Sequence, residues 1–446
     1  MSTLVTRGIV ADLAAWALGV QSTEISPAAM HAARRLLLDR VGISLGGLRL
    51  VGPHPTLRLA ARFTGNPSAT LLGGGRAFAP YAALANGCAG DALELAAGPD
   101  CVEAGLAAAE IADATLDELL VAIAVGAEVA GYLRRWLSEA MEKHGIHPPA
   151  GLGAFSAAIT AGRLLGLSPE RLAGALGSVG SLMPQAPFGV FTGGAPSKSL
   201  YGGWPQMLGL WSCLWATGGT VGPTTVLEGS RGVAQALLDA GGAVIPPIFT
   251  APTDTWEVER ITFKPFPSCR ACHPTLTALA SLGAIDPNAV TSVHIATYPY
   301  AVALEGRTTG TGPIATQASV SRSVALALVY GGTSPLDMAD SAASSDERVV
   351  AMEARTTVEV DPLYAGSGPR IRGAHVTVTL RDGATLAARA DEPQWGPSSP
   401  ATDAELRDRF ALLVGAERTA FGDAIWSAPG ALTVRALIAA HSAANG

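Results

Sequence analysis

The chain has 446 residues, about three times the usual domain length, which is enough for two or three structural units with a sizeable core. Hydrophobic residues make up 48% of it and charged residues only 15%, against an average of roughly 25% charged. The formal net charge of −7 and the lack of any run of Lys or Arg argue against nucleic acid and anionic membranes as partners.

The low charge content predicts that part of the surface is buried between subunits, so we expect a homo-oligomer. The longest uncharged stretch, Ser199 to Leu227, is interrupted by glycines and prolines. Its helical part is shorter than the about 20 apolar residues that a bilayer requires. The N-terminal residues lack a basic start followed by an apolar core, so we expect a cytoplasmic protein.

The first 250 or so residues have the periodicity of helices packed on helices. Ser26 is a candidate cap for the first long helix, and Ser168 with Pro169 marks the start of a later one. Alanine and glycine at the interfaces would let these helices approach closely. The predicted helices are Pro27 to Gly46, Pro80 to Leu95, Val102 to Ala112, Thr115 to Ala140, Gly151 to Leu165, Ser168 to Ser178 and Trp204 to Ala216.

After residue 255 the period changes to the alternation of half-buried strands, with a hairpin turn expected at Asp382-Gly383. The predicted strands are Val290 to Tyr298, Thr356 to Asp361 and two within Ala374 to Ala390, and the predicted helices are Ser319 to Tyr330 and Pro335 to Asp340. A helical pattern returns from Thr402 to Ala444. We therefore predict a mostly α fold with a large all-helical domain, residues 1–255, a smaller α+β domain, residues 256–398, and C-terminal helices, residues 399–446, that rejoin the first domain.

The stretch "KPFPSCRACHPT", Lys264 to Thr275, contains Cys-x-x-Cys-His, which is compatible with haem attachment, a metal site or a redox pair. Haem attachment at Cys269 and Cys272 would normally require export. A zinc site would need two more ligands, and no second Cys or His pair has a matching spacing. We therefore predict that the five cysteines are free thiols of a reducing compartment, and that the motif holds neither haem nor zinc.

Four polar places stand out against the apolar background, and two of them lie in the first half of the chain. In "NGCAGDALEL", Asp91 and Glu94 are three residues apart and would share one face of a helix. In "HGIHPPAGLGAF", His147 precedes two prolines and a glycine-rich helix start, an arrangement that can face an anion.

The other two places carry cations. Lys198 lies in "FTGGAPSKSLYGG", just before a helix, and Lys264, Arg270 and His273 lie in the cysteine-containing stretch. Each place alone has an ordinary structural explanation: a capped helix end, a hydrogen-bonded histidine or a solvated lysine.

Taken together, five phrases resemble the MmgE/PrpD family, and they occur in the order in which that family carries them. The resemblance runs from about residue 7 to 440 and rests on "NGCAGDALEL", "GIHPPAGLGAFSAAITAGRLLGLSPERLAGALGSVGS", "GGAPSKSLYGG", "GGTVGPTTVLEGSRGV" and "ITFKPFPSCRACHPT". Members of the family include 2-methylcitrate dehydratase, cis-aconitate decarboxylase and iminodisuccinate epimerase. The resemblance implies a large helical domain with a smaller α+β lid, a homodimer, no cofactor and an active site in the cleft between the domains.

The resemblance also implies roles for single residues. His147, Lys198 and His273 match family residues in their phrases, and the stretch around His273 would be a substrate-pocket strand. The substrates of the family are di- and tricarboxylates, so Lys264 and Arg270 are candidate carboxylate ligands, and Lys198 is a candidate catalytic residue, as a carboxylate clamp or a proton donor. The two histidines are the acid–base candidates, since histidine titrates near neutrality.

The sequence also departs from the family pattern. Family members usually carry His-x-x-Asp-Phe-Asp-Asp after the Asn-Gly, followed by His-Pro. Here Asp91 replaces the histidine, Glu94 replaces the first aspartate, and alanines replace the last two aspartates, at Ala96 and Ala97. The His-Pro that should follow is missing around Gly98 to Cys101.

In the lid, "QASVSR" places Arg322 where a tyrosine is common. One side of the pocket is thus expected to be less acidic than usual and to carry a new cation. Asp91, Glu94 and Arg322 remain candidate substrate-binding residues.

These features predict a cofactor-independent lyase, foremost a dehydratase acting on a di- or tricarboxylate or an alkylated citrate- or maleate-like substrate. A decarboxylase and an epimerase are alternatives, because all three reactions start at a carbon next to a carboxylate. A third alternative is a non-catalytic binding protein that retains the fold, and it is motivated by Ala96 and Ala97.

Overall fold

The computed structural model describes residues 8–63, 66–239, 244–338, 345–365 and 372–442. Within these ranges, no helix combines the length and the apolar character that crossing a membrane requires.

The N-terminal half is built from helices, as the periodicity predicts. Ser26 caps the helix that begins at Pro27 by accepting a hydrogen bond from the Ala29 backbone N–H at 3.0 Å, and Ser168 caps the helix that begins at Pro169 in the same way. The helices of this half are α1 (Ile9–Gly19), α2 (Pro27–Leu50), α3 (Pro55–Ala60), α4 (Ala79–Asp91), α5 (Val102–Ala112), α6 (Leu116–Lys143), α7 (Pro148–Leu164), α8 (Pro169–Leu182), α9 (Phe188–Thr192), α10 (Leu200–Thr217) and α11 (Val233–Leu237).

Close packing of α4 against α10 positions the candidate site. A Cβ atom on Gly203 would lie 2.3 Å from the Leu84 carbonyl oxygen, and one on Gly202 would lie 2.7 Å from Asp91 Cβ. No side chain fits at such distances, so only glycine allows this approach. The contact brings the C-terminal end of α4, with Asp91, against the start of α10, which follows Lys198.

A smaller α+β part follows. Its sheet has the order β4–β3–β5–β6, with β4 parallel to β3 and the other neighbours antiparallel. The predicted hairpin turn at Asp382-Gly383 joins β5 to β6, where Gly383 has φ 85°. The strands are β3 (Val290–Thr297), β4 (Thr356–Val360), β5 (Ala374–Leu380) and β6 (Thr385–Ala390), and a separate short hairpin before α4 pairs β1 (Ala69–Thr70) with β2 (Arg76–Ala77).

Helices cover this sheet and then close the chain. Those of the α+β part are α12 (His273–Ser281), α13 (Pro299–Arg307), α14 (Pro313–Ala318), α15 (Val320–Tyr330), α16 (Pro335–Met338) and α17 (Glu347–Glu353). The C-terminal helices are α18 (Asp403–Val414), α19 (Thr419–Ser427) and α20 (Val434–Ser442). The ends predicted at Asp340 and Ala444 lie outside the described residues.

The fold class is therefore the predicted one, a large helical part with a smaller α+β part. One buried cluster joins residues from Ile9 to Phe263 with Trp395 to Ile438, so the C-terminal helices pack on the helical part. A second cluster contains residues from Phe266 to Ala390. The bounds 1–255, 256–398 and 399–446 stay a prediction, because buried clusters show where side chains pack and not which segment folds alone.

Candidate active site

Lys198 is the centre of a buried ionic cluster. It lies in a 3-10 turn, Pro196–Ser199, directly before α10. Its Nζ is 3.0 Å from Asp91 Oδ2, contacts Glu94 Oε2 and lies 4.8 Å from the centre of the Phe191 ring. A lysine so deeply buried requires such partners, since an unpaired charge away from water is strongly unfavourable.

Glu94 reaches this cluster from a turn and not from a helix, which corrects the predicted shared helix face. The helix ends at Asp91, and Glu94 has a left-handed φ of 53°. Its neighbours Leu93 and Leu95 are fully buried in a small cluster with Ile43. Because the two leucines point into this apolar cluster, the chain leaves the helix and directs the Glu94 side chain to the opposite side.

Lys264 completes the cluster from the segment that leads into the α+β part. Its Nζ donates to Glu94 Oε1 and to the Glu94 carbonyl oxygen, both at 2.8 Å. Glu94 therefore bridges two lysines that are 66 positions apart in the chain. With Asp91 the cluster holds two carboxylates and two ammonium groups, so its charges are balanced.

These contacts set the protonation states of the cluster. Burial by itself would raise the pKa of Glu94, but Lys198 and Lys264 outweigh it and hold that pKa below its ordinary value. Burial raises the pKa of Asp91 above its ordinary value, although Lys198 opposes the shift. Burial would lower the pKa of Lys198, but Asp91 and Glu94 outweigh it and raise that pKa. Lys198 therefore stays protonated, which favours a cationic clamp over a proton donor.

His147 lies beside the cluster as the N-terminal cap of α7. Its Nδ1 accepts a hydrogen bond from the Ala150 backbone N–H at 3.4 Å, which favours the tautomer with the proton on Nε2. The ring packs between Phe188 and Tyr201, with ring centroids 5.2 and 5.6 Å away. Burial and then Lys198 lower its pKa to about 3, so the imidazole is neutral at neutral pH.

His273 is not joined to this cluster by any hydrogen bond or ion pair among the described residues. The predicted pocket strand is instead a 3-10 turn, Arg270–Cys272, followed by α12, whose first residue is His273 and whose second is Pro274. The His273 Nε2–H donates to the Ser268 carbonyl oxygen at 3.0 Å, and the ring packs on Phe266. The geometry favours a structural role, and a catalytic role for His273 stays a prediction.

Arg322 is also held apart from the cluster. Its Nε donates to Glu353 Oε2 at 2.9 Å and its Nη1 to the Gly310 carbonyl oxygen at 3.0 Å. The guanidinium thus ties α15 to α17, and the predicted contact with substrate has no support from this arrangement. Arg270 donates a hydrogen bond to Thr262 and lines a cavity to which none of the residues of the ionic cluster contributes.

Three residues at the site were not predicted from the sequence. Gln317 Nε2 donates to the Ala92 carbonyl oxygen at 2.9 Å and so joins the α+β part to the turn that carries Glu94. Phe191 and Tyr201 flank Lys198 and His147. Two of them could have been found from the sequence, because they lie in phrases that resemble the family. Gln317 begins "QASVSR", and Tyr201 follows Lys198 in "SKSLYGG".

The cysteine motif has an ordinary structure. All five cysteines are free thiols, with Cys272 buried and Cys269 half-buried. In the part of the chain that is described, no group of three or more His, Cys, Asp or Glu side chains is placed to hold one metal ion.

Comparison with known proteins gives matches over most of the chain. A model of the MmgE/PrpD N-terminal domain matches residues 11–244, and a model of the MmgE/PrpD C-terminal domain matches residues 266–419. The cis-aconitate decarboxylase-like protein oryM of Aspergillus oryzae is 25% identical to this chain over an alignment of 444 residues. The match covers 91% of this chain and 90% of that protein.

Proposed function

The chain belongs to the MmgE/PrpD family, a family of lyase-type enzymes, and from this premise we propose that it is a dehydratase acting on a di- or tricarboxylate or an alkylated citrate- or maleate-like substrate. The observation that carries the proposal is the buried pair Lys198 and Lys264, which share Glu94 beside a neutral His147. Two fixed ammonium groups in a dry site suit a substrate with carboxylates and an anionic intermediate.

In the proposed binding step, a substrate carboxylate replaces Asp91 as the partner of Lys198. The exchange leaves no ammonium group unpaired, because one carboxylate takes the place of another. Asp91 loses its counterion, and its pKa, already raised by burial, rises further. A carboxylate in that state is suited to accept a proton near neutral pH.

The chemical step follows from these positions. Asp91 accepts the proton from the carbon next to the bound carboxylate, and the C–H electron pair passes into an enediolate that Lys198 and Lys264 stabilise. The enediolate then forms the carbon–carbon double bond as the hydroxyl leaves, and the protonated Asp91 returns its proton to that hydroxyl, so that water is released. The Nε2–H of His147 serves as a hydrogen-bond donor to the developing oxyanion.

The proposal is tested by incubating the purified protein with citrate, methylcitrate, cis-aconitate and alkylmaleates. Mass spectrometry then measures the loss of water or of carbon dioxide. We expect loss of water from at least one hydroxylated carboxylate, with the turnover lowered by orders of magnitude on substitution of His147 or Lys198. Absence of turnover on every small carboxylate would refute the assignment.

A decarboxylase is the second candidate, favoured by the name of the Aspergillus oryzae relative, a cis-aconitate decarboxylase-like protein. The same residues serve it: carbon dioxide leaves, the lysines hold the resulting enediolate, and protonated Asp91 supplies the proton to carbon. Release of carbon dioxide without loss of water would select this reaction. An epimerase would change the configuration of its substrate with no change in mass, and a binding protein would return it unaltered.

We also propose a homodimer in the cytoplasm. Large apolar side chains remain exposed on the single chain, with Ile245 92% and Ile248 90% exposed, as expected where a partner subunit covers them. The free thiols suit a reducing compartment. Light scattering at micromolar concentration should give twice the chain mass, and a monomeric mass, or recovery of the protein in a secreted fraction, would contradict these proposals.

A further inference from the structure

A cavity of about 720 Å³ lies between α6 and the α+β part, apart from the ionic cluster. Its size is within the range of small-molecule sites, about 300–1,000 Å³. Its lining includes His273 and four arginines, namely Arg134, Arg260, Arg270 and Arg372. Nothing in the proposed reaction uses this concentration of positive charge.

Two of these arginines have no carboxylate partner. Arg270 Nη1 donates to Thr262 Oγ1 at 3.0 Å, and its Nη2 donates to the Thr262 carbonyl oxygen, so both partners are neutral. Arg134, in the middle of α6, makes no hydrogen bond and no ion pair within the described residues. Burial lowers the pKa of both guanidinium groups, and Arg372 and Arg134 lower that of Arg270 further, to about 10.

The acidic side chains at the cavity are already engaged elsewhere. Glu257 pairs with Arg135 and, at 3.3 Å, with Arg260. Asp391 pairs with Arg389 at 2.6 Å and accepts a hydrogen bond from Tyr364. The third, Glu392, accepts from the Ser398 backbone N–H at 3.0 Å. Within the described residues, none of these carboxylates therefore forms an ion pair with Arg134 or Arg270, and Glu257 only opposes the lowering of the Arg134 pKa from a longer distance.

We propose that this cavity is an anion-binding site for a small molecule with two or more oxyanion groups, carboxylate or phosphate, held by Arg134 and Arg270. Desolvated cations without counterions are unfavourable, and an incoming anion would supply the missing partner. The planar guanidinium group binds carboxylate and phosphate oxygens in pairs, which suits either chemistry. The inference does not depend on the proposed reaction, because it concerns binding alone.

The test is calorimetric titration of the protein with citrate and, separately, with pyrophosphate in a buffer of low ionic strength. We expect at least one of them to bind, and Arg134→Gln to weaken that binding by about tenfold or more, since a charge-assisted contact is lost. The matched control is Arg171→Gln on α8, which removes the same charge from an exposed site outside the cavity and should leave binding unchanged. A preference for citrate or for pyrophosphate identifies the ligand as a polycarboxylate or a phosphate compound.

A second measurement separates this site from the ionic cluster. The Lys198→Met, Glu94→Gln double variant removes one charge of each sign from the cluster and should retain the Arg134-dependent binding. Failure of both probes to bind the wild-type protein would overturn the inference. Binding that is lost in the double variant but kept in Arg134→Gln would overturn it too, and would place the anion on the lysines in accord with the proposed function.

Thermal stability gives an independent readout. Without added anion, Arg134→Gln should unfold at the same or a higher temperature than the wild-type protein, because it removes a half-buried charge that has no ion-pair partner among the described residues. The bound anion should raise the melting temperature of the wild type more than that of the variant. An anion-free variant that melts well below the wild type would show that Arg134 has a structural role, and would contradict the site.

Discussion

Replacing Lys198 with methionine is expected to reduce turnover by at least about 10³-fold and to lower the free energy of unfolding by about 3–5 kcal/mol. The catalytic loss follows from removing a fixed cation from the position where negative charge develops. The loss of stability follows from burial, because Asp91 and Glu94 then share one buried site with only Lys264 to balance them. Turnover is measured on the substrate found in the carboxylate screen, and stability by urea unfolding.

Two variants isolate these effects. The Lys198→Met, Glu94→Gln double variant should regain much of the stability, since it removes one charge of each sign, while its turnover stays low. Lys143→Met is the matched surface control, because Lys143 is 71% exposed and its ion pair is with Glu139 one turn earlier. The free energy of unfolding of Lys143→Met should stay within about ±0.5 kcal/mol of the wild-type value. A Lys198→Met protein as stable as the wild type would contradict the buried cluster.

Replacing His147 with asparagine is expected to lower turnover by about 10²–10³-fold, as for the loss of one hydrogen-bond donor to an oxyanion. His273→Ala is the matched comparison. It leaves the Ser268 carbonyl oxygen without its donor and is expected to cost about 1–3 kcal/mol of stability, with activity falling only as the folded fraction falls. If His273→Ala instead abolished turnover in a fully folded protein, His273 would be catalytic and the structural role would be wrong.

The same substitution of His147 should change the pH dependence of stability. The pKa of His147 in the folded protein is about 3, against an ordinary value of 6.5. Between these values the unfolded chain binds a proton that the folded chain does not. Stability contributed by the neutral ring is therefore complete above pH 6.5 and decreases as the pH falls towards 3, by up to about 1.4 kcal/mol per pH unit. The free energy of unfolding should change less between pH 7 and pH 5 for His147→Asn than for the wild type. An equal change in the two proteins would contradict the lowered pKa.

Much of the local structure could be predicted because it depends on neighbouring residues. The caps Ser26 and Ser168 are recognisable because a hydroxyl before a helical pattern has the free N–H groups of the first turn within reach. The strands β3, β5 and β6 are predicted by the alternation of apolar and polar residues. The turn at Asp382-Gly383 is predicted because a tight hairpin needs a residue with positive φ, which Gly383 provides. The same dependence on neighbouring residues explains one error. The local pattern predicts that the helix continues to Leu95, but it ends at Asp91, where Leu93 and Leu95 are buried in a separate apolar cluster.

The candidate site could be predicted as a set of residues but not as an arrangement. The family phrases identify Lys198, Lys264 and His147, which the fold brings to one place. They assign His273 and Arg322 to the same pocket, but they do not show that His273 bonds to the Ser268 carbonyl oxygen and Arg322 to Glu353.

The sequence by itself determined the fold class, the main helices and strands, and the identity of most charged groups at the site, because each depends on residue type and on spacing within a few turns. Tertiary structure alone decided which charges meet. Glu94 and Lys264 are 170 positions apart, and Arg134 and Arg270 come to one cavity from different parts of the fold. The physical reason is that the direction and partners of a side chain depend on how distant segments pack, and no local pattern records that packing.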